Sequence, residues 1–377
     1  MNFIKRKFFT YYLKPKIEFP NRFDRREYAF IIDGVMHRHI SFSSKDSLLS
    51  YLKINVPMHC YYSSAYYKEP SAESMQDKKW MGAELIFDLD ADHLPIANLS
   101  YEEALYEVKK ELKKLLSFLI EDFGFKEKEI SVYFSGGRGY HCHVINKEIL
   151  TLTSKERREI VDYIMARGID INEVVKERKI EKIGKVYFDR TYEIFPQQGG
   201  WKGRIAREII RFLKRIKEME RESAIEMLMQ LEGIGRKLAE EIYDKLSDER
   251  LRRIEEGKID QGKAFKKIAN SLAIKLSVTL QSGADEPVTA DIKRLIRLPG
   301  SLHGKTGLRV TKVKLSEIDE FNPLNDAVVF GDDLVEIKIL KPFKIKMMEN
   351  EYNFKKGLVK VPEYLAIFLV GRGIGIV

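Results

Sequence analysis

The chain has 377 residues, 44% hydrophobic and 33% charged, with a formal net charge of +9. That length allows one large domain with its own core and a smaller one beside it. Two cysteines, Cys60 and Cys142, exclude a disulfide framework and a zinc site built from cysteine alone. The most apolar late run, YLAIFLVG at 364–371, is too short to span a bilayer, so no membrane contact is expected. MNFIKRKFFTYY has no apolar stretch after its charges, which argues against a secretory signal and for a cytoplasmic protein.

In chain order, residues 1–26 carry eight Lys or Arg against two acidic residues, with five aromatics among the first charges. Such an arm suits a polyphosphate backbone, or a terminal helix whose aromatics dock on the core. REYAFIID (26–33) and HRHISF (37–42) read as strands joined by an Asp33-Gly34 turn. A strand at 83–90 follows. Ser100 and Glu103 form a capping box for a helix striped by Leu105, Val108, Leu112, Leu115, Leu116 and Leu119 and ended by Gly124. EISVYFSGGRGYHCHV (129–144) is two strands around a glycine-rich turn, and a helix capped by Ser154 covers about 154–166. Residues 204–256 lack proline and any strand-like run, and read as a small helical insertion between a first core segment (1–203) and a second (257–377). Within it, Gly233, Gly235 and Ala239 of LEGIGRKLAEEI suit either a close helix–helix connection or a DNA-binding hairpin, the packing reading being preferred. Short strands are expected at 310–315 and 334–340.

Three constellations carry chemistry. In ELIFDLDAD (84–92), Asp88 and Asp90 alternate with apolar residues, so both carboxylates project from one strand face. Hard oxygen ligands so close suit Mg²⁺ or Mn²⁺. SGGRGYHCHV (135–144) puts Ser135 and Arg138 in a turn whose glycines allow an anion-binding nest, then His141 and His143 on one strand face. It is no Walker loop, lacking the terminal Gly-Lys-Ser/Thr. RLIRLPGSLHGKTG (294–307) gathers Arg294, Arg297, His303 and Lys305 around a Pro299-Gly300 turn. Just upstream, Asp285 and Asp291 are both candidates for a third carboxylate, and spacing does not choose between them. Together these suit phosphoryl or nucleotidyl transfer, which needs cations for developing charge and fixed donors for the other phosphate oxygens.

In this order and spacing, FDLDAD, SGGRGYHCHV and RLIRLPGSLHGKTG resemble the catalytic small subunit of archaeal and eukaryotic DNA primases. The likeness covers about 25–310, and VPEYLAIFLV resembles that family's tail. It implies an α/β (α+β) fold: a mixed-sheet catalytic core with an RNA-recognition-type palm and the inserted helices. It implies synthesis of short RNA primers, DNA also being conceivable, on single-stranded DNA from nucleoside triphosphates, with a large subunit as partner. By position, Asp88, Asp90 and Asp285 match the metal-binding acids, which selects Asp285 over Asp291. Ser135, Arg138 and His141 match the triphosphate turn, Arg297 and His303 match nucleotide contacts, and Glu27 and Arg38 match a polar pair near the nucleotide. A Cys/His zinc knuckle that many members carry after the aspartate strand has no counterpart, so no structural zinc is expected; His93 reads as a surface loop residue. The alternatives are a metal-dependent nuclease, a repair-type primase-polymerase, and a non-catalytic nucleic-acid-binding module.

Overall fold

The computed structural model describes residues 3–93, 99–168, 176–179, 190–193, 195–259, 263–276 and 288–377. They form two compact units: Met1–Lys113 with Phe125–Val161 and Thr279–Val377, and Lys114–Gly124 with Asp162–Val278. Helices and antiparallel sheets make the fold α+β.

In the first unit, helix α1 (Phe3–Tyr12) buries Ile4, Phe8 and Tyr12, so Phe8 and Tyr12 of the basic arm serve as core residues. Its Lys5 and Lys7 pair with Asp33 at 2.6 Å and Glu363 at 2.5 Å. Strands β1 (Tyr28–Ile32) and β2 (Val35–Ile40) form the expected hairpin. Asp33 and Gly34 both take positive φ, +49° and +84°, whose twist matches that of the flanking strands. After helix α2 (Lys45–Asn55), β3 (His59–Ser63) joins the other edge of β1 and pairs in turn with Leu295–Arg297. The small pair β4 (Ala65–Tyr67) and β5 (Trp80–Ala83) leads into β6 (Leu85–Asp90).

Helix α3 (Tyr101–Ser117) starts on the expected capping box: the Ser100 N–H donates to Glu103 at 2.8 Å and the Glu103 N–H to the Ser100 hydroxyl at 3.2 Å. One π-helical turn, Phe118–Asp122, continues it, and Gly124 (φ +71°) ends it. β7 (Ile130–Phe134) and β8 (Gly139–Val144) then complete a second sheet in the order Thr311–Val313, β7, β8, β6. Here the mixed sheet expected from the sequence gives way to antiparallel ones, since every strand pairing among the described residues is antiparallel. The chain returns through α3 so that β7 runs in the direction of β6. β8 folds between them, antiparallel to both, and a parallel contact never forms. Helix α4 (Ser154–Ile164) is capped by Thr153 rather than by Ser154, because Glu156 lies three residues after Thr153 and closes the box with it.

The two sheets share one core, in which Tyr28, Phe30 and Tyr62 of the first pack with Ile86 of β6. The C-terminal helix Glu363–Gly371 buries Tyr364 through Leu369 in succession, which explains its lack of a polar face. In the second unit, helix Gly200–Glu218 buries Trp201, Ile205, Ile209 and Ile216 along one stripe, and residues 204–256 fall within this unit. Helices Arg221–Met229 and Arg236–Asp244 meet through Gly233 (φ +73°), with Ala239 buried. Among the described residues no helix is long and apolar enough to cross a membrane.

Candidate active site

The site is built on β6. Asp88 and Asp90 project from its open end into a cavity of about 500 Å³. Their strand is pinned from below by a buried charge network. Glu84, on the same strand face, accepts from Tyr66 at 3.0 Å, pairs with Arg26, and lies 3.1 Å from the His143 Nδ1. Arg26 is fully buried, with its guanidinium 3.9 Å above the Tyr66 ring, and also donates to the Ser63 carbonyl at 2.7 Å. Burial alone would raise the Glu84 carboxyl, but Arg26 and His143 outweigh it and hold it at about 2. The opposite holds at the strand end. Burial, then the Asp90 carboxylate, push Asp88 up to about 7 against the pull of Arg294 and Arg297.

The hairpin β7–β8 delivers the glycine turn beside these acids. Asp88 is registered against His141 and Asp90 against Gly139. A Cβ on Gly139 would sit 2.2 Å from the Leu89 carbonyl oxygen, so only glycine lets the strands close here. His141 is buried, its Nε2 3.5 Å from Asp88 and its Nδ1 without a hydrogen-bond partner. Burial, with the nearby His143 and arginines, keeps it neutral, well below the ordinary histidine range. Ser135 accepts from the Gly137 N–H at 3.3 Å, and Arg138 pairs with Asp92 across the mouth.

The basic loop closes over the turn. The Thr306 hydroxyl donates to the Gly136 carbonyl at 2.5 Å, and a Cβ on Gly136 would meet His303 at 2.7 Å. Arg297 donates to the neutral His59 Nδ1 at 2.7 Å; burial, then Arg297 and Lys305, lower His59 to about 3. Burial and Arg297 also hold His303 well below the ordinary range. The cavity thus gathers Asp88, Asp90, Ser135, Arg138, His141, Arg297 and His303, all seven singled out in the sequence.

The remaining candidates sit elsewhere. Glu27 is fully buried and accepts from the Arg38 Nε at 3.1 Å and the His39 N–H at 3.2 Å; neither Glu27 nor Arg38 lines the cavity. Asp285 lies outside the described residues, as does the side chain of His93. Asp291 accepts from the Lys293 N–H at 2.9 Å and does not line the cavity. Among the described residues, no three His, Cys, Asp or Glu side chains form a metal centre. The two carboxylates do fit a hard divalent cation: they share one strand face, and Asp88 is forced towards protonation when nothing else neutralises the pair. Sequence reasoning missed His59, Tyr61, Asp92 and Arg372 as cavity residues. For His59 and Tyr61 a signal existed, since they stand two residues apart in a strand and so share one face. Arg372 had none.

A family model described as the DNA primase small subunit matches residues 87–315. Full-length relatives agree. The DNA primase small subunit PriS of Methanococcoides burtonii is 42% identical over 98% of this chain and 97% of its own. Those of Methanothrix thermoacetophila and Archaeoglobus fulgidus are 42% and 41% identical, each over 98% of this chain and 97% of the relative. With its acids, glycine turn and basic loop meeting in one cavity, the chain belongs to the DNA primase small-subunit family of DNA-directed nucleotidyltransferases.

Proposed function

We propose that this chain makes short RNA primers on single-stranded DNA from nucleoside triphosphates during replication in the cytoplasm, with deoxynucleotides as alternative substrates. The observation that carries the reading is the charge layout of the cavity: Asp88 and Asp90 at one side, and Arg138, Arg294, Arg297, Lys305 and Arg372 around them. The two sheets would serve as the palm, and the stretch 204–256 as an inserted helical subdomain. The relatives are named small subunits, so a large subunit is the expected partner.

Asp88 and Asp90, joined by Asp285, would hold Mg²⁺ or Mn²⁺. Val288, three residues after Asp285, begins a short turn that packs against β6, which supports including it. Bound there as a pair, such ions supply Lewis-acid stabilisation of the charge developing on phosphate and a more acidic 3′-hydroxyl. The protein's own residues do the rest. Arg138, Arg297 and Lys305 bind phosphate oxygens with charge. Ser135, His141 and His303 contribute neutral donors, because burial strips both imidazoles of their extra proton. Glu27 acts indirectly, by holding Arg38 from beneath. Selection of the base is left to pairing with the template.

The test is template-dependent incorporation of labelled nucleotide with Mg²⁺ or Mn²⁺. Asp90→Ala should abolish synthesis while the circular dichroism spectrum and melting temperature stay near those of the parent; primer synthesis by that variant would remove Asp90 from the metal role. Degradation of labelled DNA in place of incorporation would point instead to a metal-dependent nuclease.

A further inference from the structure

The C-terminal segment enters the cavity with a cation that none of the sequence motifs contains. Arg372 follows the last residue of helix Glu363–Gly371 and lines the same cavity as Asp90, Asp92 and Arg138. Its guanidinium lies 4.8 Å from the Tyr101 ring centre and 5.5 Å from that of Phe368. Its Nε is buried with no hydrogen-bond partner, and among the described residues it forms no ion pair. A buried, unpaired donor on a permanently charged group is costly to maintain.

Its position is fixed from several sides. A Cβ on Gly371 would lie 2.8 Å from the Lys305 carbonyl oxygen, so the helix end rests directly on the basic loop. Gly307 of that loop likewise faces Ile367, where a Cβ would come within 2.4 Å. Tyr101, whose face supports Arg372, donates its hydroxyl to the Gly137 carbonyl at 2.5 Å. The glycine turn, the basic loop and the C-terminal helix therefore lock together around one arginine.

Arg138 already has a carboxylate partner in Asp92, whereas among the described residues Arg372 has no ion-pair partner. Five cationic side chains face three carboxylates among the described residues of the cavity, an excess that suits a polyanion. We infer that Arg372 is a further phosphate-binding residue, donating from the C-terminal tail to the outer phosphates of the incoming nucleoside triphosphate. The Tyr101 and Phe368 rings beside it keep the planar fork oriented, and an anionic phosphate oxygen supplies the ion-pair partner that the guanidinium lacks among the described residues.

The inference rests on the nucleotide-binding reading above, and the experiment separates the two. Equilibrium affinities for ATP and for inorganic tripolyphosphate would be measured on the full chain, for the parent and for Arg372→Ala, Arg372→Gln, Arg372→Lys and Arg138→Ala. Arg372→Gln is included because it keeps much of the stem that packs on Tyr101 and Phe368. Loss of a charge-assisted contact should weaken both ligands by about ten-fold or more in the Ala and Gln variants. Arg372→Lys should recover part of that loss. Parent-like affinity in the Ala and Gln variants, with Arg138→Ala impaired, would reduce Arg372 to a packing residue and overturn the inference alone. Parent-like affinity in all four, Arg138→Ala included, would overturn the phosphate-site reading as well.

Discussion

At the scale of single residues, the site depends on how one strand handles its charges. Glu84 and Asp88 lie on the same face of the same segment, yet one is held at about 2 and the other pushed up to about 7. The difference is the partner: a buried arginine for Glu84, a second carboxylate for Asp88. Glu84→Ala leaves Arg26 buried and uncompensated, and breaking a buried pair in this way costs about 3–5 kcal/mol, readable from urea unfolding. Because the folded-state pKa of Glu84 lies below its ordinary 4.5, its stabilising contribution is complete above pH 4.5 and is lost as pH falls towards 2. Melting temperatures of the parent and Glu84→Ala should therefore converge across that window, and a constant gap would refute the assignment. Asp285 lies outside the described residues; Asp88, Asp90, Arg138, Arg297 and His303, which line the cavity, were legible in the sequence because short motifs hold them. Arg26, Glu84 and His143 were not, because a charge network beneath a strand shows only when its members are known to be buried together.

At the scale of elements, backbone approach rather than side-chain chemistry sets the geometry. Gly139 lets β8 close on β6, and Thr306 ties the basic loop to the glycine turn. Gly139→Ala forces a methyl against the Leu89 carbonyl and should cost about 1–3 kcal/mol of stability, together with synthesis, because the clash lies between the two acids' strand and the turn. Thr306→Val keeps shape but removes the hydroxyl that donates to Gly136, lies 3.3 Å from the His303 Nδ1 and accepts from the Leu308 N–H. It should raise KM for nucleotide by about five-fold or more, the worth of roughly 1 kcal/mol or above, and lower the melting temperature because the buried Leu308 N–H loses its acceptor. An unchanged KM would mean that the loop is held by other contacts. The two hairpins, the capping box of α3 and the expected helices at this scale were readable from turn residues and periodicity. The insertion of β8 between β6 and β7 was not, because strand order is a long-range choice among many compatible pairings.

At the scale of the whole molecule, the charge of +9 bears on the template. Lys5 and Lys7 of the basic N-terminal arm pair with Asp33 and Glu363, while five cationic side chains gather at the cavity. Affinity for single-stranded DNA should fall with salt along a log–log slope of about −0.7 per phosphate contacted. A salt-independent affinity would count against backbone contacts.

The sequence alone determined the local setting of the candidate side chains, because alternation on a strand, a capping box and a glycine turn are short-range consequences of residue identity. Only the tertiary structure decided that acids, turn and loop, more than 200 residues apart at their extremes, share one cavity with the C-terminal Arg372. That convergence follows from antiparallel pairing order and from glycines that let three segments of backbone touch, and neither is encoded within any one motif.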